Sequence, residues 1–327
     1  MDARMGAGHD MEGHRIYTVT LNPAVDRELT VPALAFDTVL RASEPRVDVG
    51  GKGFNVSRML MALGAPSTAL ALAGGHNGRI LQDGLEALGI GTDFVWVPGE
   101  TRVNVSVVTA ARDRYLKVNE PGPAIEPERQ EALLRKIAAL VRPGDWWALS
   151  GSLPPGVPPE FCARVVGAIR EGGAHVILDT SGEALGCGCR SGPDVVKPNA
   201  EEAHALTGLP VGSLAEVAAA AHAVARLGPA QVVVSLGKEG SLFTGGAQAW
   251  VARGPVVREG NPIGAGDAMV GGLLWGLSQG LPLAGAMRWA TACGAATAGQ
   301  AGTTVGPRAL VESLLPEVCV TPVPSSL

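Results

Sequence analysis

From residue 126 onward the chain repeats one pattern: a helical stretch, a short apolar run, then a turn. Helical spacing at 127–141 leads to a run at 146–150, helix 159–171 to a run at 175–179, and helix 215–227 to a run at 231–236. A short run at 194–196 and helices at 282–300 and 307–315 complete the series. The same unit opens the chain, where runs 16–21 and 69–73 alternate with a helix after Gly53 and another at 79–88. Strands joined through helices run parallel, and a parallel sheet needs helices over both of its faces. The expected fold class is therefore α/β, three layers around a mainly parallel central sheet.

Two segments break the rhythm. Residues 29–48 alternate weakly and contain Pro32 and Pro45, while runs 94–97, 103–108 and 115–118 follow one another across turns with no helix between them. A meander of this kind does not fit a parallel sheet, so a small β lid is expected from about 29–48 and 94–120. Such a lid would exclude water from a transfer reaction. An exposed lid sheet also offers a surface for pairing two copies into a homodimer. Residues 1–15 read as a disordered tail, 16–320 as the folded domain, and the Pro/Ser-rich residues 321–327 as a loose end.

Composition narrows the partners. A formal net charge of −5 without any block of Lys or Arg leaves no electrostatic footprint for nucleic acid, so small molecules are expected. No run reaches the 18 or so apolar residues that a membrane span needs, and residues 1–15 lack the apolar centre of a signal peptide. A cytoplasmic enzyme is the default expectation. The odd set Cys162, Cys187, Cys189, Cys293 and Cys319 has no paired metal-type spacing and reads as ordinary reduced thiols.

In open α/β sheets ligands collect beyond the carboxyl ends of the strands. Asp26, Ser150, Asp179, Lys197, Asn199 and Gly237 all fall at predicted strand ends, Asp26 in the loop opened by Asn22-Pro23. Two glycine turns also open helices, Gly50-Gly51-Lys52-Gly53 with Asn55, and Gly264-Ala265-Gly266-Asp267. Free N–H groups at a helix start attract anions. Asp267 is then either a catalytic base beside a bound phosphate or a plain helix cap. The first turn lacks the Gly-x4-Gly-Lys-Ser/Thr spacing of a nucleotide P-loop and is assigned to substrate. Arg102, on a turn of the lid, has the planar fork that suits a phosphate.

Taken together and in this order, these motifs resemble the ribokinase-like sugar kinases of the PfkB family over residues 16–315. Thr20 to Asp26, Gly99-Glu100-Thr101-Arg102, Asn119 to Pro123, Ser150 to Gly156 and Leu178 to Gly182 are similar to the hexose-phosphate branch of that family. The resemblance implies a ribokinase-like fold and ATP- and Mg²⁺-dependent phosphoryl transfer to a sugar hydroxyl. It makes Asp267 the base and the backbone of Gly264, Ala265, Gly266 and Asp267 the anion hole. Lys197, Asn199, Ser235, Gly237 and Gly240 fall on the nucleotide side, and Asn199 with Glu202 on Mg²⁺ through water. Asp26, Gly50, Gly51, Lys52, Asn55 and Arg102 fall on the sugar side, where Lys52, Arg102 and Arg41 would meet a phosphate already on the substrate. Asn261-Pro262 stands where many members carry Asp-Thr, which puts activation by a monovalent cation in doubt.

Overall fold

The computed structural model describes residues 14–246, 248–255, 257, 264–300 and 304–323. The first half contains strands β1 (Ile16–Thr20), β2 (Ala24–Val31), β3 (Glu44–Gly50), β4 (Thr68–Ala73), β5 (Gly91–Thr92), β6 (Val95–Trp96), β7 (Arg102–Thr109) and β8 (Tyr115–Asn119), with helices α1 (Lys52–Ala62), α2 (Gly75–Ala87) and α3 (Pro127–Leu140). The second half alternates β9 (Trp146–Ser150), α4 (Glu160–Glu171), β10 (His175–Asp179), α5 (Gly182–Arg190), β11 (Val195–Val196), α6 (Ala200–Thr207), α7 (Leu214–Ala225) and β12 (Gln231–Ser235). It ends with β13 (Ser241–Gly245), β14 (Gln248–Arg253), α8 (Ala265–Ser278), α9 (Leu283–Ala298), α10 (Arg308–Leu314) and β15 (Cys319–Pro322).

An 11-stranded sheet runs β15-β14-β13-β12-β11-β10-β9-β1-β4-β5, with β6 also on β4. It is parallel from β5 to β12 and antiparallel across β13, β14 and β15. Strand alternation divides the core between two faces. Tyr17, Val19, Trp147, Leu149, Val176, Leu178, Val232 and Val234 face the layer of α3, α4 and α7, where Trp147 stacks on Tyr17 at 4.2 Å. Their neighbours Ile16, Ala148, Ile177 and Val233 face the layer of α1, α8 and α9. Both faces of the central strands are covered, as the continuous apolar runs require. Among the described residues no helix is long and apolar enough to cross a membrane.

A separate four-stranded sheet, β3-β2-β7-β8, forms the lid. Three local expectations change. Asp26 lies on strand β2 rather than in a loop, because Pro23 ends β1 and the chain turns at once into the lid. Val95–Trp96 leaves the meander and pairs parallel with Leu72–Ala73 of β4, as the return strand after α2. Both expected tails are shortened: Arg15 is held by Asp145, Nη2 to Oδ2 at 2.7 Å, and Thr321 and Pro322 are not loose, since β15 adds an antiparallel edge to β14 and Val323 N donates to Ala249 O at 2.8 Å. Residues 1–13 and 324–327, the remainder of the two expected tails, lie outside the described residues. All five cysteines are free thiols, and burial pushes Cys162 and Cys189 up to about 12.

Candidate active site

Helices α1 and α8 carry the two glycine turns, and their packing brings those turns together. Gly271, nearly two turns into α8, makes the approach possible: a Cβ there would stand 2.7 Å from Met59 Cβ and 3.2 Å from Val56 O. Gly264 caps α8 with φ of 85°, a conformation that a side chain would strain. The start of α8 therefore lies beside that of α1, where a Cβ on Gly264 would stand 3.8 Å from Asn55 Nδ2, and Asn55 and Lys52 of α1 act on Asp267 as a hydrogen-bond donor and a neighbouring positive charge.

The cap reading of Asp267 is excluded by this geometry, because the N-cap is Gly264 and no side chain among the described residues caps the helix. The Asp267 carboxylate instead accepts from Asn55 Nδ2 at 2.8 Å. Burial, reinforced by the Asp179 carboxylate, pushes Asp267 up to about 6, against the pull of Lys52, the Asn55 hydrogen bond and Lys197. Asp179 is the second anchor. Its side chain, 2% exposed, shares Oδ1 between Lys52 Nζ at 3.4 Å and Lys197 Nζ at 3.3 Å, while Oδ2 is buried without a hydrogen-bond partner among the described residues. Burial works against the charge of Lys52, yet Asp179, Asp267 and Glu202 together raise its pKa. Two ammonium groups and two carboxylates thus stand where both helix starts point.

On one side of this cluster lies a cleft of about 740 Å³. Asn199, Ser235, Gly237 and Gly240 line it together with Ala265 and Gly266. Lys238 and the segment after β14, with Gly254, Pro255 and Val257, add to the wall, and α8 and α9 close it with a mainly apolar surface of Met269, Gly294, Ala295 and Ala298 beside Thr291. Asn199 and Glu202 satisfy one another in a capping box, Asn199 N donating to Glu202 Oε2 at 2.9 Å and Glu202 N to Asn199 Oδ1 at 2.8 Å. Asn199 also bridges to Ser235 as a short parallel pair.

On the other side stands the lid. Its register places Asp26, Asp48, Asn104 and Asn119 in one row of one face, and Val47, Arg27, Val105 and Val118 in a row of the other. Asp26 accepts from Asn104 Nδ2 at 2.8 Å, and burial raises its pKa against that bond. Glycine suits position 50, since a Cβ would stand 2.7 Å from the backbone Ala24 O as well as 2.5 Å from the Asp26 carboxyl. Arg102 donates from Nη2 to Asn22 O at 2.9 Å and from Nη1 to Glu120 O at 3.1 Å, and burial lowers its pKa. Buried side-chain atoms without hydrogen-bond partners among the described residues concentrate on this side, including Thr20 Oγ1, Asn22 Oδ1, Asn55 Oδ1, Asn104 Oδ1 and Ser150 Oγ. Unpaired buried polar atoms cost stability, so their clustering marks a place built to receive a polar ligand.

Most of the expected residues therefore meet around Asp267. Arg41 does not join them by any described contact and lies exposed in the 32–43 loop between β2 and β3. Asn261 and Pro262 lie outside the described residues. Asp179 was among the strand-end candidates but carried no assigned role, and Asn104 was not singled out, since it reads as one polar residue in an alternating strand.

Comparison with known proteins places the chain in a family. A family model described as pfkB family carbohydrate kinase matches residues 19–309. The 1-phosphofructokinase of Rhodobacter capsulatus is 38% identical over 311 residues, covering 95% of this chain and 98% of its own length. Among solved structures, phosphofructokinase-2 from Escherichia coli in complex with potassium superposes with a TM-score of 0.89 at 31% identity, over 93% of this chain and 98% of that one. The same enzyme in complex with fructose-6-phosphate gives 0.86 at 30% identity, with coverage of 93% and 98%. Membership implies the use of ATP, and the chain belongs to the pfkB family of carbohydrate kinases, a sugar phosphotransferase.

Proposed function

We propose that this chain is an ATP-dependent hexose-phosphate kinase that converts fructose 1-phosphate and ATP to fructose 1,6-bisphosphate and ADP. The observation that carries the reading is the Asp267 carboxylate, buried between the apolar cleft and the lid and pushed up to about 6. A base poised near neutrality takes a hydroxyl proton more readily than one at the ordinary carboxylate value. As the acceptor oxygen bonds to the γ-phosphorus, its proton passes to Asp267 and the bond to the β-bridging oxygen breaks, releasing ADP. The N–H groups at the start of α8, with Lys52 and Lys197, meet the charge on the moving phosphoryl group.

The donor set fits Mg²⁺. Among the described residues no three metal-binding side chains cluster, but Asn199 and Glu202, joined in their capping box, would meet the ion through water, and the Oδ2 of Asp179 adds a further oxygen. Mg²⁺ suits such a site because it keeps several waters and binds phosphate oxygens. When bound, it would offset phosphate charge.

On the acceptor side, Asp26 would hold sugar hydroxyls, and Arg102 would exchange its two carbonyl partners for the phosphate already on the sugar. A plain sugar would leave that fork without purpose. Fructose 6-phosphate is the second reading, supported by the likeness to a phosphofructokinase-2 in complex with that sugar; tagatose 6-phosphate is the third. A coupled ADP-release assay across these three sugar phosphates and free fructose ranks them. Highest kcat/KM with fructose 1-phosphate is expected; preference for another phosphate replaces the acceptor, and no turnover on any of them sinks the kinase reading.

We further propose that two copies pair through the apolar face of the lid, where Val47, Leu116 and Val118 are about half exposed. In light scattering, Leu116→Asp with Val118→Asp should halve the mass of a dimeric wild type. A wild type that runs as a monomer removes the proposal.

A further inference from the structure

We infer that Glu100 is a positioning residue of the acceptor site: clamped onto the first turn of α2, it fixes where β7 leaves the main body and thereby aims Arg102. The inference rests on the reading of Arg102 as the phosphate contact.

Helix α2 starts at Gly74 and Gly75, which have no side chains with which to satisfy its first N–H groups. The turn before β7 supplies them from 23 to 27 residues away. Glu100 Oε1 accepts from His76 N at 3.0 Å, and Oε2 accepts from Asn77 N at 3.1 Å. Thr101 Oγ1 accepts from Gly74 N at 2.9 Å, Thr101 N donates to Gly74 O at 3.0 Å, and Asn77 Nδ2 donates to Thr101 O at 2.8 Å. Both glycines are shaped by this clamp. A Cβ on Gly74 would collide with Gly99 O, and one on Gly75 with the Glu100 carboxyl group. The carboxylate faces the positive end of a 13-residue helix, and the two N–H donors hold its pKa below the usual range.

Arg102 is the next residue but one, and its guanidinium reaches the loops that follow β1 and β8 through Asn22 O and Glu120 O. Val103 N is held in turn by Glu120 Oε2 at 2.7 Å. The side chain has long, free torsions, so its direction depends on where its backbone starts. The clamp sets that start.

The test uses Glu100→Ala, Glu100→Gln, Arg102→Ala and the double variant Glu100→Ala with Arg102→Ala, assayed with fructose 1-phosphate. For Glu100→Ala, loss of two charge-assisted bonds should raise KM for the sugar phosphate about tenfold, with kcat and the KM for ATP within about twofold. Glu100→Gln retains one carbonyl acceptor and should show about a threefold rise. Once Arg102 is gone, removing Glu100 should cost less than about twofold more, because the two act on one contact. Amide hydrogen exchange in folded Glu100→Ala should quicken at His76 and Asn77, and also at Val103. An unchanged KM for fructose 1-phosphate in Glu100→Ala overturns the inference, as does a full further tenfold loss in the double variant. Should Arg102→Ala itself leave that KM unchanged, the phosphate role of Arg102 fails; the clamp then stands or falls on the exchange at Val103, and unaltered exchange there overturns it.

Discussion

On the nucleotide side of Asp267 the walls are backbone and small side chains, the turns at Gly237 and Gly240 facing Gly294, Ala295 and Ala298, whereas on the acceptor side they are polar side chains drawn from six separate elements and loops. The first is a shape and the second a set of directions. A flat apolar slot with N–H groups at one end needs glycine and alanine, and it forms wherever α8 and α9 pack closely. Acceptor groups must converge at set angles, so Asn55, Asp26, Asn104, Arg102 and Asp179 come from α1, β2, β7 and β10. The difference predicts that substitutions on the two sides separate cleanly in kinetics.

The largest effect belongs to the residue between them. Asp267→Asn should lower kcat about a thousandfold, the range for loss of a general base, while calorimetry gives an ATP Kd within about twofold of wild type. Retained turnover would remove Asp267 from its role. Next comes Arg102→Ala, for which the KM of the sugar phosphate should rise about fiftyfold with that of ATP unchanged, since charge-assisted bonds to a phosphate are lost. Gly294→Val should do the reverse. A Cβ at Gly294 would already stand 3.4 Å from Ala265 O, and the two methyls beyond it would project into the slot. The KM for ATP should rise about tenfold with the acceptor unaffected, a steric loss of one to two kcal/mol at about the scale of overpacking. If both variants raised both constants equally, the division into two sides would fail.

The same division explains what could be seen in the sequence. Gly264 to Asp267 and Gly50 to Asn55 are local signals, because a glycine turn and the helix it opens are neighbours in the chain. The β-α rhythm was legible for the same reason, and with it the parallel sheet. What was hidden depends on distant partners. Asp179 meets Lys52 across 127 residues, so its strand-end position was legible but its partner was not, and Asn104, which meets Asp26 across 78, did not stand out at all. Helix α5 was also missed: Gly182, Gly186 and Gly188 weaken any helical reading, yet Gly188 is needed because a Cβ would press 2.5 Å from Leu178 Cδ2. Two-residue runs such as Val95–Trp96 carry no period at all, and only pairing with β4 places them.

The smallest effect tests whether the acceptor and nucleotide sides share one poised charge, and its sign can be worked out. Asp267 rises from an ordinary 3.8 to about 6, so the protein favours its neutral form. Catalysis needs the carboxylate: kcat/KM should fall as pH drops through about 6, and a midpoint near 4 would contradict the burial argument. Stability runs the other way. A raised acid pKa contributes its full stabilisation below 3.8, and that contribution is lost as pH rises through about 6. Above pH 7 the charged group therefore costs the fold on the order of 3 kcal/mol. Asp267→Asn keeps the size and removes the charge, so its Tm at pH 7.5 should exceed that of wild type by about 4 °C and match it near pH 4. A variant no more stable at pH 7.5 would mean that Lys52, Lys197 and Asn55 already neutralise the carboxylate in full, and that nothing holds it ready to take a proton.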